Sequence, residues 1–200
     1  MAREPTGEKL FDAAIRLMSE RGYRETTVGD IEEAAGLTRR AGGFYRHFSS
    51  KEDVLVRAVE RMANEMGASI RLDDVVALNA PRAELLVIAQ ALIRHAAAHR
   101  SLRVLIAREG SRLPALRAAA QDANANLAET DVLPWLENVL QRCGAWVADL
   151  RALALIIFGP VLLHILAVDR GDRAFGIGED DFLAPWADHW AAWLERGARD

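Results

Sequence analysis

Residues 8–55 read EKLFDAAIRLMSERGYRETTVGDIEEAAGLTRRAGGFYRHFSSKEDVL, and this stretch decides the fold of the N-terminal part of the chain. Its first part places apolar residues at positions i, i+3, i+4 and i+7, which predicts an amphipathic helix over residues 7–21 that Gly22 ends. Thr27 and Asp30 have the spacing of a capping box, which predicts a second, short helix that Gly36 ends.

A compact segment with several aromatic residues follows this second helix. Ser50 and Asp53 then offer a further cap to a long helix, so we expect four helices before residue 70. The residues expected in the small core between these helices are Phe11, Ile31, Phe44, Phe48 and Leu55.

Residues Gly36 to Lys51, GLTRRAGGFYRHFSSK, form what we call the basic segment. It contains four Lys or Arg residues and no acid, whereas the whole chain carries a net charge of −4. Four such charges by themselves often mark only a solvated surface. Their place directly after a short helix and a glycine is, however, where a helix-turn-helix protein presents side chains to DNA. The negative net charge excludes a protein that coats nucleic acid over its whole surface.

The order of these elements resembles the N-terminal DNA-binding domain of the TetR family of bacterial transcriptional regulators. The resemblance covers residues 8–62 and rests on ERGY, TTVGDI, AAGLT, FYRHF and SKEDVL in that order. It implies an all-α fold, with an N-terminal helix-turn-helix DNA-binding domain and a larger C-terminal helical domain for ligand binding and dimerisation. The predicted domains are residues 1–50, with a connecting helix over 51–70, and residues 71–200.

The resemblance also implies how the basic segment meets DNA. Thr27, Tyr45 and Lys51 would hold phosphates, and residues 38–47 would lie along the major groove. The predicted DNA-binding residues are Thr27, Thr38, Arg39, Arg40, Gly43, Tyr45, His47 and Lys51. Gly36 and Tyr45 are nine positions apart here, whereas seven is commoner in the family. The reading helix is therefore expected to start late, and which of Arg39, Arg40 and Gly43 faces the bases stays open.

The remainder of the chain also has a helical composition, since 36 alanines outnumber the 28 Val, Ile and Thr residues together. After a break at residues 72–80 we expect helices over residues 81–99, 101–110, 114–142, 148–168 and 180–197. Pro134 and Pro160 are expected to kink the third and fourth of these.

Residues 152–168 carry no charged side chain and reach the short limit of a membrane span. Gly159, Pro160 and His164 interrupt this run, so we expect a buried helix at a subunit contact and no membrane partner. The last helix carries a wide apolar stripe, which serves either packing within the subunit or contact with a second one. The residues predicted at a dimer interface are Gly159, Leu163, Trp186, Trp190 and Trp193.

A regulator of this kind senses a small molecule in its C-terminal domain, and an apolar lining would suit a hydrophobic effector. The residues predicted to line such a pocket are His95, His99, Asn124, Trp135, Cys143 and His164. Each of these, taken alone, is more often an ordinary interior residue.

Enzyme signatures are missing from the sequence, since it contains no GxxxxGK[ST], GxGxxG, GxSxG or HExxH. We therefore expect no catalytic residue and no cofactor. His95 and His99 lack a second ligand pair, so no metal is expected either. Cys143 cannot form an internal disulfide, which favours the cytoplasm.

Taken together, the sequence predicts a cytoplasmic homodimer that binds a near-palindromic operator in double-stranded DNA, most simply as a repressor that an unidentified effector releases. The alternatives are a helical-bundle enzyme with an accessory DNA-binding domain and an architectural DNA binder without an effector.

Overall fold

The computed structural model describes residues 5–39, 42–69 and 72–196, and within these ranges the regular secondary structure is entirely helical. The predicted all-α class is therefore confirmed. The α-helices of the described residues are α1 (Thr6–Arg21), α2 (Val28–Ala34), α3 (Lys51–Ser69), α4 (Leu72–Val76), α5 (Pro81–Ala98), α6 (Arg100–Glu109), α7 (Pro114–Leu127), α8 (Leu133–Cys143), α9 (Leu150–Asp169) and α10 (Glu179–Arg196).

The first two helices begin and end where the sequence predicts. The N–H of Gly22 donates to the Met18 carbonyl at the end of α1. The capping box at the start of α2 is complete, because the Thr27 hydroxyl accepts from the Asp30 N–H and the Asp30 carboxylate accepts from the Thr27 N–H. Local sequence signals are sufficient for both helices because each cap joins residues within one turn.

Over residues 36–39 and 42–50, which the structure describes, the basic segment does not form the expected reading helix. Its described part contains one 3-10 turn, Phe44–Arg46, so three α-helices and this turn precede residue 70 instead of four helices. Gly36 and Gly42 have φ angles of 76° and 73°, in the left-handed region, and a right-handed helix cannot pass through them. Arg40 lies outside the described residues.

The chain packs into two compact units. Unit 1 consists of residues 1–63 and 99–123, so α6 and most of α7 join the N-terminal helices. Its core is built on α1, which packs against α2 and α6. Ile31, Phe44, Phe48 and Leu55 are buried in this core as predicted, with Phe11 half-buried beside them. The predicted bounds at residues 50 and 70 concern function rather than packing, and they stay a prediction.

Unit 2 consists of residues 64–98 and 124–200. It has α5 packed between α9 and α10, with α8 against both α9 and α10. The predicted break at residues 72–80 is wrong in part, because it contains the short helix α4. The predicted helix over 114–142 is interrupted by a π-helical segment, Ala128–Val132, which ends two positions before Pro134. Proline lacks the N–H that regular α-helical bonding would use there.

A buried polar cluster joins α5 to α8 in unit 2. Glu84 is fully buried, and its carboxylate accepts from the Trp135 Nε1–H at 2.9 Å and from Nη2 of Arg142 at 2.7 Å. The Ala80 N–H also donates to this carboxylate, at 3.0 Å. A buried carboxylate is tolerated only when such donors replace water.

Helix α9 is long and apolar enough to cross a membrane by length and composition alone. One of its faces, which includes Ile157, Phe158 and Val161, is buried in the core of unit 2. The opposite face exposes a row of large apolar side chains, namely Leu155, Ile156, Leu162, Leu163 and Leu166.

Candidate nucleic-acid interface

The start of α2 is rigidly defined by the Thr27 side chain. Its hydroxyl donates to the Asp30 carboxylate at 2.6 Å, and its backbone N–H donates to the same oxygen at 2.9 Å. The hydrogen bonds from Thr27 hold the pKa of Asp30 below its ordinary value, with the Arg39 charge acting in the same direction. Thr27, predicted to contact a phosphate, is exposed at this helix end, where free N–H groups favour anions.

Lys51, the first residue of α3, turns back toward the loop that precedes α2. Its ammonium donates to the carbonyls of Tyr23 and Thr26 and lies 4.3 Å from the centre of the Tyr23 ring. Burial lowers the pKa of Lys51, while the nearby carboxylates of Glu25 and Glu109 oppose that shift. In this structure Lys51 therefore ties α3 to the loop, although it is predicted to bind phosphate.

The 3-10 turn presents consecutive polar side chains to solvent. Phe44 is fully buried and packs edge-on against the ring of Tyr45 at 5.4 Å, while Tyr45 itself is 64% exposed. Arg46 is exposed and makes no ion pair within the described ranges. His47 is also exposed and lies close to Gly7 of α1. One buried ring thus anchors a turn that offers a hydroxyl, a guanidinium and an imidazole.

Arg39 is drawn back onto α2. Its guanidinium contacts Asp30 at 2.7 Å and Glu33 at 3.4 Å, and its side chain covers Gly29. About half of the Arg39 side chain remains exposed, so both ion pairs are solvated and weak. Thr38 is exposed beside it. Arg39, a candidate base-reading residue, is therefore paired with acids of its own domain in the free chain.

Glu32 is a site residue that the sequence reasoning missed. It is fully buried, and its Oε1 accepts from the Phe44 N–H at 3.0 Å across the basic segment. Gly43 precedes Phe44 and provides no side-chain cap for the turn. The sequence does contain a sign of this burial. Glu32 stands four residues after Val28 and three before Ala35, which places it on the apolar side of α2.

Two of the predicted pocket residues, Trp135 and His164, are joined by a continuous row of rings in unit 2. The row runs through rings that lie 5.5 to 6.3 Å apart: Trp135, Phe158, Trp186, Phe182 and His164.

The other pocket candidates are spread over both units. Cys143 is half-buried, and burial raises the pKa of its thiol. His95 is half-buried on α5, and Asn124 is exposed. His99 belongs to unit 1, where it occupies the N-cap position of α6, whereas His95 belongs to unit 2.

The residues predicted at a dimer interface differ in exposure. Leu163 is 50% exposed and Gly159 is half-buried, both on α9. Trp186 is buried, and its Nε1–H donates to the Ile157 carbonyl at 2.8 Å. Trp190 and Trp193 are partly buried against the core of unit 2. Trp186 thus stabilises the subunit itself, and any part in a subunit contact stays a prediction.

Residues 10–58 contain the residues of the candidate nucleic-acid interface, from Thr27 to Lys51. This stretch matches the family model of the bacterial regulatory proteins of the tetR family. The N-terminal domain of this chain belongs to the TetR family. The chain is 49% identical over 47 residues to the HTH-type transcriptional repressor KstR2 of Rhodococcus jostii strain RHA1, a match that covers 24% of this chain and 22% of that protein. Such matches cover less than a third of the curated relatives' length.

Solved structures extend the likeness in fold beyond the TetR domain. A Mesorhizobium loti protein assigned to the TetR family has a TM-score of 0.71 at 19% identity, over 94% of both chains. The transcriptional regulator FadR of Bacillus subtilis, solved in complex with stearoyl-CoA, has a TM-score of 0.66 at 19% identity, over 95% of this chain and 98% of that one. The arrangement of the C-terminal helices is therefore one that occurs in such proteins.

Proposed function

We propose that this chain is a cytoplasmic transcriptional repressor that binds a near-palindromic operator as a homodimer and leaves it when a small hydrophobic effector binds. The observation that carries the proposal is the TetR domain itself, in which a capped α2 and a buried Phe44 present Tyr45, Arg46 and His47 on one exposed turn. The repressor name of a relative over this domain supports the sign of regulation.

In the proposed complex, phosphates and bases are contacted by different groups. Thr27, Tyr45 and the start of α2 offer a hydroxyl, a phenol and free N–H groups, which suit phosphates and carry no base information. Thr38, Arg39, Arg40 and Gly43 would lie nearest the bases. Arg39 would leave its solvated ion pairs with Asp30 and Glu33 and bind a base of the duplex instead. A guanidinium can bind a guanine through two hydrogen bonds.

Lys51 would act at the interface mainly through the loop before α2. Its ammonium is already held by two carbonyl oxygens. The ammonium has three N–H donors, so it could keep both of these bonds and donate its third hydrogen to a phosphate. Lys51 would thus combine the phosphate contact that the family resemblance implies with the loop contact of the free chain.

The homodimer would form through the exposed face of α9. Five large apolar side chains stand there in helical register on a helix whose other face is already packed. Contiguous apolar surface of this kind marks an interaction site in soluble proteins. A two-fold dimer would place two copies of the turn on successive half-sites, about 34–36 Å apart, which makes the operator near-palindromic.

The effector would bind in unit 2 against the aromatic row, at the end that carries His164. The stearoyl chain bound to FadR, a protein of similar fold, supports an apolar ligand. The effector need only favour the dimer conformation in which the two turns no longer match the half-sites. A coupling free energy of about 1–3 kcal/mol is typical of such regulation.

Selection of bound fragments from the source genome tests this proposal. Purified full-length chain is mixed with fragments and excess random competitor at two salt concentrations. A repressor would recover a few near-palindromic fragments, with a complex of two chains per fragment. For each phosphate that the protein neutralises, the logarithm of the association constant should fall by about 0.9 for every tenfold rise in salt concentration. Recovery of fragments without a common sequence would contradict a specific regulator and support the architectural alternative.

A further inference from the structure

The buried carboxylate of Glu32 is placed unusually for a DNA-binding surface. It lies on α2, is 0% exposed, and accepts a hydrogen bond from the backbone N–H of a residue twelve positions later. Carboxylates are almost never fully buried unless hydrogen bonds hold them. A negative charge next to a phosphate-binding segment is unfavourable for affinity, so its placement there calls for a geometric reason.

That reason lies in how the 3-10 turn begins. The N-cap of the turn is Gly43, which has no side chain with which to accept from the free N–H groups. Glu32 supplies the missing acceptor from another helix. A Cβ atom at Gly43 would lie 3.6 Å from Glu32 Oε1, an ordinary contact distance, so the glycine stands directly beside the carboxylate that accepts from the next residue.

We propose that Glu32 is the positioning residue of the DNA-reading turn. It holds the backbone of Phe44, and through Phe44 it fixes the direction in which Tyr45 and Arg46 leave the domain. In the described residues a short 3-10 turn carries these side chains, so their direction depends on how the first residue of that turn is held. This inference rests on the proposed function, since it assigns a role within the same DNA-binding site.

Two substitutions separate positioning from charge. Glu32→Gln keeps an oxygen that can accept from the Phe44 N–H and removes the negative charge. Its operator affinity should stay within about 3-fold of the original chain or rise. Glu32→Leu removes both charge and acceptor. Its operator affinity should fall about 10-fold or more, while its affinity for random DNA stays equal or rises because an acid has gone.

The experiment measures fluorescence anisotropy of the full-length chain on the operator fragment recovered by selection and on a scrambled fragment. Glu20→Leu serves as the charge-matched control, because Glu20 is an exposed acid at the end of α1. Amide exchange at Phe44 reports the contact directly and should be slow in the original chain and in Glu32→Gln, and fast in Glu32→Leu. Thermal melting identifies variants that do not fold.

The outcomes distinguish this inference from the proposed function. Equal operator affinity of Glu32→Leu and the original chain overturns the positioning role, and so does an equal loss on operator and scrambled DNA. If Glu32→Leu does not fold, Glu32→Ala tests the loss of the same acceptor with a smaller side chain, with the same selective loss expected and an unchanged operator affinity overturning it. An original chain that selects no fragment overturns the proposed function and the DNA role of Glu32 with it.

Discussion

The carboxylate of Glu52 accepts a hydrogen bond from the backbone N–H of Ala115 at 3.0 Å, with the Leu116 N–H at 3.4 Å. The first turn of α3 thus caps the N-terminus of α7. Its neighbour Lys51 holds the carbonyls of the loop that precedes α2. Two adjacent residues of α3 therefore join the loop before α2 to the N-terminus of α7 within unit 1.

Replacing Glu52 should loosen this connection. Glu52→Leu leaves the N–H groups of Ala115 and Leu116 without this acceptor. The free energy of unfolding of unit 1, measured in urea, should therefore fall by about 1–2 kcal/mol. Glu52→Gln keeps an acceptor and should lose less than about 1 kcal/mol, the part due to the charge at a helix N-terminus. Glu60→Leu, on the exposed side of α3, is the control. Equal stability of Glu52→Leu and the original chain would show that the cap is unimportant.

Tyr45 and Arg46 should affect DNA binding differently. Tyr45→Phe removes one hydroxyl from an exposed ring, so stability should change by less than about 0.5 kcal/mol. Operator affinity should fall about 5-fold, with the same salt dependence. Arg46→Ala should lower the salt slope by about 0.9 as one phosphate contact is lost. The measurement is anisotropy at several salt concentrations, with exposed Arg112→Ala as control. An unchanged slope in Arg46→Ala would show that Arg46 contacts no phosphate.

The exposed face of α9 gives a prediction about assembly. Leu163→Glu places a charge at a half-exposed position, which a single subunit tolerates and an apolar subunit contact does not. We expect a dimer for the original chain and a folded monomer for this variant in light scattering. Leu78→Glu, at a position of similar exposure outside α9, should remain dimeric. A dimeric Leu163→Glu chain would place the contact elsewhere.

The buried cluster around Glu84 should be strongly non-additive. Arg142→Leu leaves the buried Glu84 carboxylate without its cation, so the free energy of unfolding of unit 2 should fall by about 3–5 kcal/mol. Adding Glu84→Gln removes the uncompensated charge and should recover part of that loss. Arg82→Leu breaks an exposed pair with Asp188 and should cost less than about 1 kcal/mol. Urea unfolding of the original chain, both single variants at Arg142 and Glu84, the double variant and Arg82→Leu measures this, and simple additivity would contradict the buried-charge explanation.

Asp30 should make the TetR domain sensitive to acid. Its pKa is lowered in the folded chain from the ordinary value of 3.8 by the Thr27 hydrogen bonds. In the interval below that value the unfolded chain binds more protons than the folded one, so stability present above it is lost as the pH falls. Unfolding free energies from about pH 5 to about pH 3 should therefore fall less steeply for Asp30→Asn than for the original chain. Exposed Asp12→Asn should reproduce the original slope.

The sequence by itself determined those features that depend on neighbours within a turn or two. Residues close together in the sequence were enough to predict the helical class, the bounds of α1 and α2, the capping box at Thr27 and the TetR domain. Propensity and capping act locally, and for this reason they can be recognised in the order of residues alone.

Only the tertiary structure decided the features that join residues distant in the chain. Burial of Glu32 under Phe44, the turn of Lys51 toward two carbonyls and the fully buried Glu84 each depend on desolvation, which no local pattern measures. The described part of the basic segment holds a 3-10 turn where a reading helix was expected, and its Phe44 N–H is held by Glu32, twelve positions earlier in the chain. Long-range contacts therefore decided the shape of the surface that is proposed to meet DNA.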